Sequence, residues 1–317
     1  MLRYILRRVA LAVVTLLLLS GIVFVISNVL PQNVGRSILG AFASKEAVDQ
    51  LNHQLGTDQP LIVQYGRLLR SIVTFNFGTS YQTGQPVSDL IIETLRNSAK
   101  LAGLALLLTV PLGVVGGVVA ALKRGTIVDR TIVTLGLAGS AIPEFVTSTF
   151  LVFALGLKLN VLPALATWPE GAGPFTQMYY LLMPALALVL VYFGYIARMA
   201  RAGTITALEA DYTRTATMKG LSKTTVLRRH VLRNALLPTI SVIATQTGYL
   251  FGGLLAVEII FNLNGLGRLL VTAAKAKDLP VLSAGVIVIG IIYMVATLAA
   301  DLLISWLNPR IRMGGQR

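Results

Sequence analysis

The densest run of side chains able to do chemistry is EADYTRTATMKGLSKTTVLRRHVLRNALLP, residues 209–238. It gathers Asp211, Tyr212, Arg214, Lys219, Arg228, Arg229 and His230 around a single glycine, Gly220. Cations of this kind can grip an acidic surface, but with one histidine and no paired nucleophile they do not make a catalytic set. Three carboxylates stand apart from it in apolar surroundings: Glu144, Glu258 and Asp301. A carboxylate in hydrocarbon is costly, so each has to face protein or water. Glu144 follows Pro143 and either satisfies backbone donors at a bend or lines a path. Asp301 is expected to pair with a basic group, and Glu258 to touch either a solute or the following NLNGLGR segment. The chain has no GxxxxGK[ST], GxSxG or HExxH motif and no cysteine, which excludes a P-loop, thiolate chemistry and disulfides. Its two histidines, His53 and His230, are too few for a His-rich metal site. Gly265 and Gly267 lack a preceding strand of the dinucleotide-binding type, so a tight, solvent-facing reentrant or docking loop suits them better. Arg268 beside them can meet an acidic protein patch or lipid headgroups.

These groups must be held by elements that live in a bilayer. Of 317 residues, 55% are hydrophobic and only 13% charged, with a mean hydropathy of +0.75. Soluble domains sit nearer 25% charged. Apolar runs of about twenty residues, enough to cross ~30 Å of hydrocarbon, recur near residues 9–30, 99–122, 131–157, 179–197, 238–260 and 281–306. The reading is an all-α polytopic protein with about six transmembrane helices. Its first helix, residues 1–30, is expected to be a retained anchor, because the apolar run exceeds a signal-peptide core. Residues 31–97 form a polar, mostly helical external region: Ser44 is placed to cap one helix, and a second is expected over residues 61–74. Residues 98–307 form a five-helix core, and residues 308–317 a tail. Pro111, Gly113, Gly116 and Gly117 let the second crossing bend or pack closely.

Charge sets the orientation. Residues 1–8, 122–130, 198–237 and 308–317 hold 17 of the 27 Lys and Arg, so the positive-inside rule places both termini in the cytoplasm. The net charge of +14 is thereby explained by topology and anionic lipid, and nucleic acid is not an expected partner. The longest inside segment, 198–237, reads as two short amphipathic helices. Leu208, Tyr212 and Thr215/Ala216 recur at helical spacing, Gly220 can close the first helix in a left-handed conformation, and Ser222 can cap the second. Such a unit is either a lever between two crossings or a basic loop resting on headgroups.

Residue by residue, this segment resembles the cytoplasmic coupling loop of bacterial ABC-importer permeases of the dipeptide/oligopeptide/nickel type. The matching positions are Asp211–Tyr212, Arg214–Thr215–Ala216, Lys219–Gly220–Leu221, His230 and Arg233–Asn234–Ala235–Leu236 with Pro238. Arg214 stands where the wider superfamily has Glu. Leu55–Gly56–Thr57–Asp58–Gln59–Pro60, Gln64–Tyr65, Phe77–Gly78–Thr79–Ser80 and Pro86–Val87 resemble blocks of the first external region. Glu258, Phe261, Gly265–Leu266–Gly267–Arg268, Asp278, Pro280, Asp301 and Pro309–Arg310 resemble the last third. Departures are Asn264 for Pro, Asn308 for Asp, Thr297 for Asn, and residues 97–100 for Leu-Pro-x-Thr.

The resemblance implies the type I ABC-importer permease fold in a bacterial inner membrane. It implies a second homologous permease subunit, two cytoplasmic ATPases carrying ATP and Mg, an extracytoplasmic solute-binding protein, and a cargo of peptides, nickel, glutathione or another small solute. This chain would bind no cofactor itself. Residues 211–230 would dock on an ATPase, with Arg214, Lys219, Arg228 and Arg229 against acidic rims and Leu221, Val226 and Leu227 in its groove. Gly265, Gly267 and Arg268 would meet the binding protein. The rival is an ion-coupled secondary transporter acting alone, which would favour inverted repeats and broken mid-membrane helices.

Overall fold

Among the described residues five helices are long and apolar enough to cross a membrane, and a bent helix pair, Ile127–Ala141 with Glu144–Lys158, makes six if it counts as one span. The computed structural model describes residues 2–29, 33–40 and 42–307. In chain order the helices are α1 (Leu2–Val29), α2 (Val34–Leu39), α3 (Lys45–Leu55), α4 (Leu61–Thr74), α5 (Val87–Leu122) and α6 (Ile127–Ala141). Then come α7 (Glu144–Leu151, extended by a π-helical turn, Val152–Lys158), α8 (Pro174–Glu209), α9 (Asp211–Met218) and α10 (Lys223–Thr225, followed by a π-helical turn, Val226–Val231). The last three are α11 (Leu232–Ile260), α12 (Leu266–Ala276) and α13 (Leu279–Leu307). The tail 308–317, with Pro309 and Arg310, and the side chains of Arg3, Arg7, Arg8 and Asp301 lie outside the described residues.

Local chemistry explains most boundaries. The Ser44 hydroxyl accepts from the Ala47 amide at 3.2 Å, and Gly56, at φ +66°, ends α3. Three expectations need correction. The third crossing is not one helix, since α6 and α7 meet at 104° across Ile142–Pro143. Proline cannot donate to the preceding turn and pushes the residue before it to an extended conformation, and Ile142 is at φ −91°, ψ 126°. Second, α5 and α8 overrun their apolar cores, starting at Val87 and ending at Glu209, because Arg and Glu continue a helix without being apolar. Third, Gly265 and Gly267 are not a solvent-facing loop. Both are buried at the start of α12, where the Ser98 hydroxyl accepts from the Leu266 amide at 2.7 Å.

By internal packing the chain divides into two units. One comprises residues up to Ser98 together with Asn264–Met294. Its apolar core joins Val87 and Ile91 of α5 to Leu266 and Ala273 of α12 and Val281 and Ala284 of α13. Beside it Asp278, 2% exposed, accepts from the Ser80 hydroxyl and from the Gln82 amide, tying two segments 198 residues apart. Burial and the nearby Asp278 carboxylate push the Tyr81 phenol up, keeping it a neutral donor. Tyr65 of α4 meets α1, its hydroxyl 3.1 Å from Ser20 and its ring 5.2 Å from Phe24. Leu11, Val13, Val14 and Leu18 of α1 are exposed, as an apolar face solvated by lipid tails should be.

The second unit, Ala99–Leu263 with the chain beyond Val295, is organised around α8. Leu181, Met183, Leu188, Val191 and Tyr192 of α8 pack with Leu101 of α5 and Leu250, Leu254 and Val257 of α11. Glycines bring backbones into contact. A Cβ on Gly136 of α6 would lie 2.9 Å from the Gly194 Cα of α8, and one on Gly139 would collide with the Leu190 carbonyl. Gly113 and Gly117 of α5 likewise face Ile196, Ala197 and Ala200 of α8, the close packing that small residues permit between membrane helices.

Candidate functional site

The segment 207–235 is a closed helical unit. α8 stops at Ala210, at ψ 148°, and α9 starts anew at Asp211. Gly220 takes φ +76°, a conformation costly for most side chains with a Cβ, and Ser222 caps α10 by accepting from the Thr225 amide at 3.3 Å. Ala207 and Leu208 at the end of α8, Ala216 of α9, Val226, Leu227 and Val231 of the π-helical turn and Ala235 of α11 pack as one small apolar cluster. The Thr213 hydroxyl donates to the Ala207 carbonyl at 2.7 Å, adding a buried polar tie. The unit is therefore fastened to the ends of α8 and α11 through its own core.

This packing sorts the residues singled out from the sequence. Asp211, Tyr212, Arg214, Lys219, Gly220, Leu221, Arg228 and Arg229 are exposed, His230 and Leu227 are half-buried, and Ala216 and Val226 are buried. Two expectations change. Val226, 6% exposed, is turned into the unit's own core and is not available to fill a partner's groove; Met218, 74% exposed, and Leu221 are the exposed apolar residues near Gly220 in sequence. Tyr212 leaves the apolar stripe, because the break at Ala210 shifts the helical phase and places Thr213 and Ala216 inward.

The unit's surroundings contain an ion pair that the sequence did not reveal. Asp129, in the first turn of α6, takes two hydrogen bonds from the Arg201 guanidinium of α8 at 2.6 and 2.8 Å, and accepts from the Gly125 amide at 2.9 Å. Asp129 is 4% exposed, so removing its charge leaves a partly buried guanidinium without its partner. Asp129→Ala is expected to lower stability by about 1–3 kcal/mol. Thermal unfolding in detergent checks this, and Asp129→Leu combined with Arg201→Met should recover most of the loss.

The second locus is the broken crossing. Glu144 opens α7 and is half-buried, and the Tyr192 hydroxyl of α8 donates to its carboxylate at 3.3 Å. An open cavity of about 620 Å³ is lined there by residues including Ser140, Pro143, Glu144, Tyr192, Tyr195, Gln246 and Tyr249. The sequence reading found Glu144 and missed the others, whose only signal was a polar or phenolic residue on an otherwise apolar crossing. Glu258 does not line this cavity. It is fully buried at the end of α11, where its carbonyl accepts from the Leu263 amide at 2.9 Å. Arg268, in the first turn of α12, is half-buried. Among the described residues no cluster of three or more His, Asp or Glu side chains could hold a metal ion.

Comparison with known proteins agrees with this architecture. Residues 113–313 match the family described as "Binding-protein-dependent transport system inner membrane component", and residues 1–102 match its N-terminal companion. A putative peptide transport system permease protein of Brucella abortus (strain 2308) is 36% identical over 308 residues, covering 97% of this chain and 98% of the relative. A probable peptide ABC transporter permease protein of Sinorhizobium fredii is 32% identical over 98% of this chain and 99% of its own. The glutathione transport system permease protein GsiC of Escherichia coli (strain K12) is 33% identical over 98% of this chain and 99% of its own. An all-α polytopic chain without an ATPase motif, matched over residues 1–102 and 113–313, belongs to the family of inner-membrane components of binding-protein-dependent transport systems.

Proposed function

We propose that this permease subunit forms one half of a path that carries peptides or similar small solutes inward, driven by ATP hydrolysis on separate subunits. The partners in this reading are a second homologous permease, two cytoplasmic ATPases and an extracytoplasmic solute-binding protein. Residues 31–97 face outward, the segment 198–237 and both termini face the cytoplasm, and the core 98–307 holds the path. Support for the cargo class comes from relatives named for peptide and glutathione transport that align over nearly the whole chain.

The observation that carries the coupling role is the unit at 207–235. It has its own small core, it joins the ends of two crossings, and it presents Arg214, Lys219, Arg228 and Arg229 together with the apolar Met218 and Leu221. An apolar tip with a cationic rim fits a groove with an acidic edge. A unit fastened at both ends passes a displacement to α8 and α11 instead of absorbing it. In this reading Val226 and Ala216 keep the unit rigid, and the exposed residues make the contact.

Because the chain contains no cysteine, Met218→Cys places one reactive thiol at the tip. Maleimide is expected to label it in inside-out vesicles, and assembly with the ATPases should slow labelling severalfold. Labelling that occurs only from outside intact cells would remove this reading.

A further inference from the structure

We propose that the cavity at the broken crossing recognises the ammonium group of an amine-bearing cargo such as a peptide N-terminus, with Glu144 as the anion that receives it. This rests on the permease reading above and adds a chemical preference inside the membrane path.

Glu144 sits at the break between α6 and α7, in the middle of the apolar stretch from Ile127 to Lys158. A carboxylate in such apolar surroundings has to meet a polar partner or water. Among the described residues no Lys, Arg or His pairs with it, in a chain whose net charge is +14. Among the described residues its hydrogen-bond donor is the Tyr192 hydroxyl, which leaves most of its acceptor capacity open. Arg198 lies over the Tyr195 ring at 5.8 Å and makes no ion pair with Glu144.

The walls are suited to a small organic cation. Tyr192, Tyr195 and Tyr249 supply hydroxyls and aromatic faces, which attract ammonium groups. Gln246 lines the same cavity, is only 7% exposed, and its side-chain amide makes no hydrogen bond to another described residue. Its amide lines the cavity with free hydrogen-bonding capacity, which a peptide backbone group can take up. Gly253 of α11 makes the arrangement possible: a Cβ there would stand 2.9 Å from the Tyr192 hydroxyl and 3.0 Å from the Glu144 carboxylate. The volume, about 620 Å³, lies within the usual range for small-molecule sites and takes a short peptide. One carboxylate among neutral groups is too few ligands for a divalent metal but enough for one charge-assisted bond to an ammonium.

The full chain in lipid nanodiscs tests this by saturation-transfer NMR with millimolar trialanine and N-acetyl-trialanine. Trialanine should bind, and acetylation, which removes the ligand's charge without touching the protein, should weaken binding about tenfold. Glu144→Gln should weaken trialanine binding about tenfold and erase the difference between the two peptides, while Gln246→Leu should weaken both severalfold. Equal binding of the two peptides to the unaltered chain, indifference to Glu144→Gln, or no binding of trialanine would each overturn the site. ATP-driven trialanine uptake by the assembled transporter separates the two levels. Uptake that persists unchanged with Glu144→Gln overturns the site alone, whereas the unaltered transporter failing to move any peptide its binding protein holds overturns the permease reading beneath it.

Discussion

Gly194→Val is expected to abolish correct packing of the second unit. Gly194 of α8 faces Gly136 of α6 so closely that a Cβ on it would collide with the Gly136 carbonyl and lie 3.0 Å from the Gly136 Cα. The obstacle is main chain, so no side-chain rotation relieves it. Overpacking against a flexible neighbour costs about 1–3 kcal/mol, and against two helix backbones the cost should lie at or above the top of that range. The helices would have to separate, and the neighbouring approach of Gly139 to the Leu190 carbonyl would be lost with it. Detergent-solubilised Gly194→Val should therefore elute largely as aggregate, with a melting midpoint lowered by roughly 6–12 °C in any folded fraction. Gly103→Val is the control, since nothing lies within 4 Å of a Cβ there. If Gly194→Val melts like the unaltered chain, the close approach of α6 and α8 is wrong.

Gly220→Val should give the opposite pattern, an assembled complex that does not transport. Gly220 has open space around its missing Cβ, so the substitution introduces no collision. What it opposes is the φ of +76°, which a β-branched residue reaches only at a cost of about 1–2 kcal/mol. The chain will relieve that strain by changing the angle between α9 and α10, which re-aims Arg214 and Lys219 on one side relative to Arg228 and Arg229 on the other. ATP-driven uptake is expected to fall at least about tenfold, while the complex still copurifies with its ATPases. Gly220→Asn, which tolerates the left-handed conformation, should keep most of the uptake. Normal uptake by Gly220→Val, or equal loss in Gly220→Asn, would sink the idea that the angle at Gly220 transmits force.

The broken third crossing shows where local reading stops. Pro143 at mid-crossing announced an interruption, but hydropathy alone passed over it, because residues on both sides of the break are equally apolar. Likewise α12 carries Leu266, Leu270 and Ala273 at helical intervals on its buried face. At eleven residues it is too short to register as a crossing, and its glycines suggested a loop.

Sequence by itself determined the features that depend on a few neighbouring residues: apolar runs long enough to cross a bilayer, the Ser44 and Ser222 caps, the turn at Gly220 and the basic segment at 198–237. Side chains within a turn of one another fix such features whatever the rest of the chain does. Tertiary structure alone decided the pairing of Asp129 with Arg201, 72 residues away, and of Ser80 with Asp278, 198 residues away. It also decided that Val226 faces inward, and that Glu144 shares a cavity with Tyr192 and Gln246. These depend on which helix faces pack together, and glycine-to-glycine contacts such as that of Gly136 with Gly194 set those faces only once both helices exist.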